Sequence, residues 1–329
     1  MLAVLARRHG PPETLSIENL PALAPAAGEV VVAVHAAAVI FPDTLIIEDK
    51  YQIKPSLPFS PGGEVAGVVK VLGEGVTGFR VGDPVIAACR YGGFAEEVLV
   101  TPDRLVPVPH GVSMEAAASL MMTYGTTQYA LTDCARMQRG ETLLVLGAAG
   151  GTGLSAIELG KLMGARVIAA ASSEEKLALC RERGADEVIL YTPQNLKDEI
   201  RRLTSGEGVD VVYDPVGGDY AEPALRGMAW GGRYLVIGFT AGIPKLPLNL
   251  PLLKGCSIVG VFYGAFAKKF PGRYAQLRTE LVQWLAENRI RPAVTARYPL
   301  EQAAEALRVV GARKALGKIV LTTALGRGE

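Results

Sequence analysis

The chain has 329 residues, 49% of them apolar, with 34 Lys plus Arg against 33 Asp plus Glu. That length suggests two domains with ample core, and the balanced charge, with no long like-charge block, argues against nucleic acid or a polybasic membrane surface as partner. Four dispersed cysteines, Cys89, Cys134, Cys180 and Cys256, offer neither a disulfide framework nor a zinc-finger spacing.

The amino-terminal "MLAVLARRHGPPE" is too short and too early charged to read as a signal peptide. The longest uncharged stretch, residues 116–132, falls short of a membrane span. A soluble cytoplasmic protein is the expectation. In chain order, "GEVVVAVHAAAV", "EVAGVVKVLGEGV", "DPVIAAC" and "FAEEVLV" read as short strands between turn residues. Such spacing predicts a barrel-like or sandwich β domain. From about Tyr124 the rhythm changes. "ETLLVLG", "RVIAAA", "DEVILY", "GVDVVYDPVG", "RYLVIGF" and "CSIVGVF" read as six strands. The helical segments between them are "GLSAIELGKLMG", "SSEEKLALCRERG", "NLKDEIRRLTSG" and, less regularly, "YAEPALRGMAWGG". Strand–helix alternation predicts an α/β doubly wound parallel sheet. The last 65 residues hold two helical patterns and a final strand, "GKIVL", and are expected to return to the β domain.

The stretch "LVLGAAGGTG" places a glycine cluster between the first strand and its helix, where a dinucleotide pyrophosphate binds. The pattern is Ala148-x-Gly150-x-x-Gly153, with alanine at the first glycine position and an extra Gly151. Ala149, Gly150, Gly151, Thr152 and Gly153 are therefore candidate cofactor contacts. A site for NADH would carry Asp or Glu at the end of the second strand, about 20 residues on. This chain has Ala171 there, followed by Ser172, Ser173 and Lys176. Hydroxyls and an ammonium accept a 2′-phosphate that an acid would repel, so the segment suits NADPH and NADP+. Ser172 with Glu175 also reads as a capping box, and Lys176 as a solvated helix residue. Ser173 and Lys176 match the S-x-x-K string of some serine hydrolases, but its companion strings are absent.

The ordered set "GEVVVAVHAAAV", "PFSPGGEVAGVV", "GVTGFRVGDPV", "GGFAEEV", "GAAGGTG" and "GKIVL" resembles the medium-chain dehydrogenase/reductase superfamily. More closely it is similar to the zinc-free, zeta-crystallin-like quinone oxidoreductases. The resemblance covers nearly the whole chain. It implies a GroES-like catalytic domain split around a Rossmann domain, with boundaries near 1–123, 124–264 and 265–329. Zinc-dependent members carry Cys in the first crossover and Gly-His-Glu near the next strand. Here "VIFPDT" and "PGGEVAG" leave no Cys, and Gly63 stands at the His position. His9, His35 and His110 are scattered, so no metal is expected. Without a Lewis acid, the easier reaction is hydride donation to an activated acceptor such as a quinone or an α,β-unsaturated carbonyl.

The resemblance also implies site residues. Ile40 occupies a position where relatives carry an Asn that binds substrate and nicotinamide. Asp43 matches a family acid, though it also reads as a helix N-cap. Tyr51 matches a tyrosine facing the cleft and could deliver a proton, or be an ordinary amphipathic tyrosine. Thr127 matches a threonine beside nicotinamide, or a packed β-branched residue. Tyr191 would lie on the adenosine side, Gly238 and Phe239 beside nicotinamide, Phe262, Tyr263 and Gly264 over it, and Lys318 within reach of the cofactor. The strand from Ser257 to Phe262 would be a sheet edge pairing with its copy in a homodimer. The resulting expectation is an NADPH-dependent, zinc-independent reductase. The rivals are an enoyl-thioester reductase on the same scaffold and, from another class, a nucleotide-binding structural or RNA-binding protein without relevant turnover.

Overall fold

The computed structural model describes residues 1–191 and 195–328. The chain divides into two compact units, residues 1–122 with 282–329, and residues 123–281.

In the first unit, β-branched runs form a seven-stranded sheet. Its path runs Val294–Pro299, Lys318–Thr322, Val30–Val39, Glu64–Leu72, Pro84–Ala88 and Leu105–Pro107, with Glu97–Val100 paired to Val30–Val39. The pairings are antiparallel except that of Val294–Pro299 with Lys318–Thr322. Alternate valines of the long central strand, Val30, Val32 and Val34, enter one core with Val65, Val85, Phe94 and Leu321. Strand Val294–Pro299 has no counterpart in the sequence reading. Its "VTARYP" alternates weakly, and pairing to Lys318–Thr322 decides its state.

In the second unit all six strands are parallel. Their order is Glu187–Leu190, Arg166–Ala171, Thr142–Leu146, Val209–Asp214, Met228–Val236 and Ser257–Gly260. In chain order that is 3-2-1-4-5-6, the doubly wound arrangement whose switch point lies between Thr142–Leu146 and Val209–Asp214. "YAEPALRGMAWGG" is helical only over Ala221–Arg226. Its remainder belongs to the strand Met228–Val236, because parallel pairing outweighs local helix preference. The second unit also extends past 264, to residue 281. Tyr263, Phe266 and Leu277 bury one another together with Tyr129 and Tyr274, which holds that stretch to the Rossmann sheet's unit. Among the described residues no helix is long and apolar enough to cross a membrane.

Candidate functional site

The glycine turn sits at the carboxyl end of strand Thr142–Leu146 and opens the helix Gly151–Leu162, with Gly150 as N-cap. Gly147, not residue 148, takes the left-handed conformation at φ +57°, so alanine at the first glycine position costs nothing. Gly153 and Gly150 are glycine for different reasons. A Cβ on Gly153 would lie 2.6 Å from the backbone carbons of Ala148, so packing of helix on turn excludes a side chain there. A Cβ on Gly150 would meet nothing nearer than the Gly147 carbonyl at 3.4 Å, an ordinary contact. The fold therefore does not require glycine at 150, and its bare Cα leaves room for a group lying over the helix start. The first-turn N–H groups there have no intrahelical acceptor and carry the positive end of the helix dipole.

The second strand, Arg166–Ala171, ends without an acid. Ser172 is exposed, and Lys176 Nζ donates to its Oγ at 3.0 Å. The helix cap is Ser173 rather than Ser172: Ser173 Oγ accepts from Lys176 N at 3.3 Å, opening the helix Glu174–Glu182. Capping thus leaves the Ser172 hydroxyl and the Lys176 ammonium together at the surface.

Across the switch point, a Cβ on Gly147 would meet a Val216 methyl at 2.7 Å, so the two loops touch. Asp214 shapes the second of them. Its Oδ1 accepts from Val216 N at 2.7 Å and Gly217 N at 2.8 Å, and its Oδ2 from the Tyr234 hydroxyl. Burial pushes the Asp214 carboxyl up, against the pull of those donors. The sequence reading missed Asp214; an acid ending an apolar strand before Pro-Val-Gly-Gly is the signal that could have found it. Gly238 N donates to the Asp214 carbonyl at 3.3 Å. After the fifth and sixth strands the aromatic rings of Phe239 and Phe262 stay 43% and 57% exposed, and Gly264 lies against Phe262. Tyr191 stands 4.4 Å from Tyr220, ring to ring. Two further candidates are enclosed. Tyr263 is buried against Tyr129, Phe266 and Tyr274, its hydroxyl filling the space that Gly125 leaves open. Thr127 is fully enclosed, with its hydroxyl engaged by Thr123, Ser155 and Tyr213.

The candidates in the first unit gather around a buried charge cluster. Asp43 stands at the third position of the helix Phe41–Ile47 instead of capping it as N-cap. It accepts from Ile40 N at 2.9 Å and Gly62 N at 3.3 Å. Glu64, for which the sequence alone suggests no role, accepts from Met121 N. Lys318 is 3% exposed, and the charges acting on it are those of Glu64 and Asp43. All three residues belong to the first unit. Burial pushes both carboxyls up to about 7 against the pull of the ammonium, and pushes the ammonium down. Tyr51 is half-buried. Burial first, then the Asp43 charge, raises its phenol, which stays protonated. Ile40 is buried and offers no polar atom beyond its backbone. Among the described residues, no cluster of three His, Cys, Asp or Glu side chains is placed to hold a metal.

Comparison with known proteins follows this division. Residues 26–110 match the alcohol dehydrogenase GroES-like domain and residues 151–283 the zinc-binding dehydrogenase family. A quinone oxidoreductase-like protein 2 homolog of Nematostella vectensis is 37% identical over 98% of this chain and 88% of its own. The quinone oxidoreductase of Rattus norvegicus is 32% identical over 98% and 97%. A mycobacterial protein solved with NADPH superposes with a TM-score of 0.91 at 32% identity, covering 98% of this chain and all of the other (100%). The CurK enoyl reductase does so at 0.89 and 26%, covering 98% and 99%. With a GroES-like sheet, a doubly wound sheet and these relatives along nearly its full length, the chain belongs to the medium-chain dehydrogenase/reductase superfamily, in its quinone oxidoreductase-like branch.

Proposed function

We propose that the chain is an NADPH-dependent, zinc-independent reductase of quinones or activated α,β-unsaturated carbonyls. The observation that carries the reading is the bare Gly150 cradle with the Ser172–Lys176 pair where an NADH site would hold an acid. The dinucleotide, when bound, supplies the hydride. The chain's residues do the rest. Backbone N–H groups of residues 151–153 bind the pyrophosphate. Ser172 Oγ and Lys176 Nζ bind the 2′-phosphate by charge-assisted hydrogen bonds. Phe239 and Phe262, half-exposed apolar rings, gain burial by covering a flat ring. Tyr51 holds its proton and donates it toward a substrate oxygen. "VIFPDT" without a Cys and Gly63 at the His position bring no metal-ligating side chain where zinc-dependent relatives coordinate, so the acceptor must supply its own electrophilicity.

Stopped-flow mixing should show NADPH oxidation by a quinone or an enone, with NADPH bound roughly tenfold or more tighter than NADH. Lys176→Glu should cancel that preference. Equal affinities, or no turnover with either acceptor, would overturn the reading, and stoichiometric zinc by plasma mass spectrometry would overturn its metal part. A second reading, reduction of enoyl thioesters, is favoured by the apolar Ile40 and by the likeness to an enoyl reductase structure. A crotonyl thioester outperforming simple quinones would select it.

The protein is also proposed to be a homodimer. Strand Ser257–Gly260 is a sheet edge, and Trp230, Leu248 and Leu252 in the same unit are 82%, 83% and 77% exposed. Unpaired edges and apolar surface of this kind call for a partner, and a second copy offers the matching edge. Light scattering should give twice the chain mass, and Leu252→Glu with Ile258→Lys should halve it. A monomeric parent protein would rule the dimer out.

A further inference from the structure

Tyr213, Thr127 and Ser155 are fully enclosed, yet each carries a hydroxyl. Phe, Val and Ala would occupy nearly the same space without one. The Thr127 Oγ1 lies 2.8 Å from the Tyr213 hydroxyl and 2.7 Å from Ser155 Oγ, and it donates to the Thr123 carbonyl at 2.9 Å. Ser155 Oγ reaches the Thr152 carbonyl at 2.8 Å. Each hydroxyl has one proton. Thr127 spends its proton on Thr123, so it accepts from Ser155, whose single proton is shared between Thr127 and the Thr152 carbonyl, and from Tyr213, whose phenol burial keeps protonated. The network joins the fourth strand, the helix Thr123–Tyr129 and the first turn of the helix Gly151–Leu162. The next residue, Asp214, holds Val216 and Gly217, and the Val216 methyl packs on Gly147. Two successive residues thus brace both loops of the switch point, Tyr213 through the hydroxyl network and Asp214 through backbone N–H groups.

We infer that Tyr213, Thr127 and Ser155 are positioning residues for dinucleotide affinity: they hold the first helical turn so that the N–H groups of residues 151–153 converge on the pyrophosphate. This rests on the proposed dinucleotide reading. Buried hydroxyls are tolerated only when satisfied, and a satisfied network fixes orientation where an apolar contact would leave sliding room. The network touches no reacting atom, so its loss weakens binding and leaves the chemical step alone.

The test measures NADPH dissociation constants by fluorescence, with the KM for NADPH and kcat in quinone reduction, in Tyr213→Phe, Thr127→Val and Thr127→Ser. Tyr213→Phe and Thr127→Val should each raise the NADPH constant and KM about tenfold, with kcat at saturating NADPH within about twofold. Thr127→Ser, which keeps the hydroxyl, should bind like the parent. Unchanged binding in Tyr213→Phe overturns the inference, as does a loss in Thr127→Ser that Thr127→Val does not share, which would assign the effect to the methyl group. Should Thr127→Val fail to fold, Tyr213→Phe and Thr127→Ser decide. If the parent protein binds no NADPH, the dinucleotide reading falls. Hydrogen exchange at the amides of 151–154 then judges the bracing by itself: faster exchange in Tyr213→Phe supports it, and unchanged exchange overturns it.

Discussion

Gly153→Ala and Gly150→Ala are expected to fail in different ways. At 153 the new methyl meets the Ala148 backbone at 2.6 Å, and backbone cannot rotate away as a side-chain tip can. Overpacking of this kind costs about 1–3 kcal/mol or more. The turn and helix must separate, so dinucleotide binding should be lost together with stability. At 150 the methyl makes only an ordinary contact with the Gly147 carbonyl, with φ at −78°, a conformation every residue accepts. Urea unfolding of Gly150→Ala should match the parent within about 0.5 kcal/mol, while NADPH affinity falls roughly 100-fold by steric exclusion of the pyrophosphate. Normal NADPH binding by Gly150→Ala would show that the cradle serves no ligand.

Lys318→Met is expected to destabilise the GroES-like sheet by about 3–5 kcal/mol at neutral pH, the cost of leaving buried carboxyls without their cation. Among the described residues the Lys318 Nζ and Glu64 Oε2 have no hydrogen-bond partner, so the attraction among the three groups is carried by charge at low dielectric rather than by directed bonds. The sign of the pH dependence follows. Asp43 and Glu64 titrate at about 7 in the folded chain, against about 4 when unfolded. Between those values the folded state holds protons that the unfolded chain has released. The stability that these carboxyls contribute is therefore fully present below about pH 4 and is lost as pH rises through 7. For one such group the loss is on the order of 4 kcal/mol. Lys318, shifted down, has the opposite sign: its contribution is present at high pH and lost as the ammonium forms on acidification. Chemical unfolding at intervals from pH 5 to 8 should show the carboxyl slope. Glu64→Gln, neutral throughout, should flatten it, and Lys318→Met should steepen it. An identical slope in the parent and Glu64→Gln would mean that Glu64 does not titrate in this range.

Both predictions depend on residues whose roles the linear chain only half discloses. The glycine cluster pointed to a dinucleotide by its place between an apolar strand and a helix within a strand–helix alternation. Which glycine serves the fold and which the ligand depends on what lies across from each Cα, and that is set by the approach of helix to turn. The absent acid at Ala171 was equally legible, because the length of one strand–helix–strand unit fixes its place. The assignment of the cap to Ser173 was not legible, because adjacent serines offer the same side chain and only the helix start chooses between them.

Periodicity and punctuation by themselves determined the class of this protein: short valine-rich strands, then six strands alternating with helices, then a returning strand. Local chemistry suffices for that, because backbone geometry imposes the periods of 2 and 3.6. Only the tertiary structure decided that Lys318 lies buried under the charges of Asp43 and Glu64, that Thr127 lies between Tyr213 and Ser155, and that Tyr263 packs over Gly125. Each of those placements brings together side chains tens to hundreds of positions apart. Burial, which sets the strength of their charges and hydrogen bonds, is a property of the packed chain that no window of sequence contains.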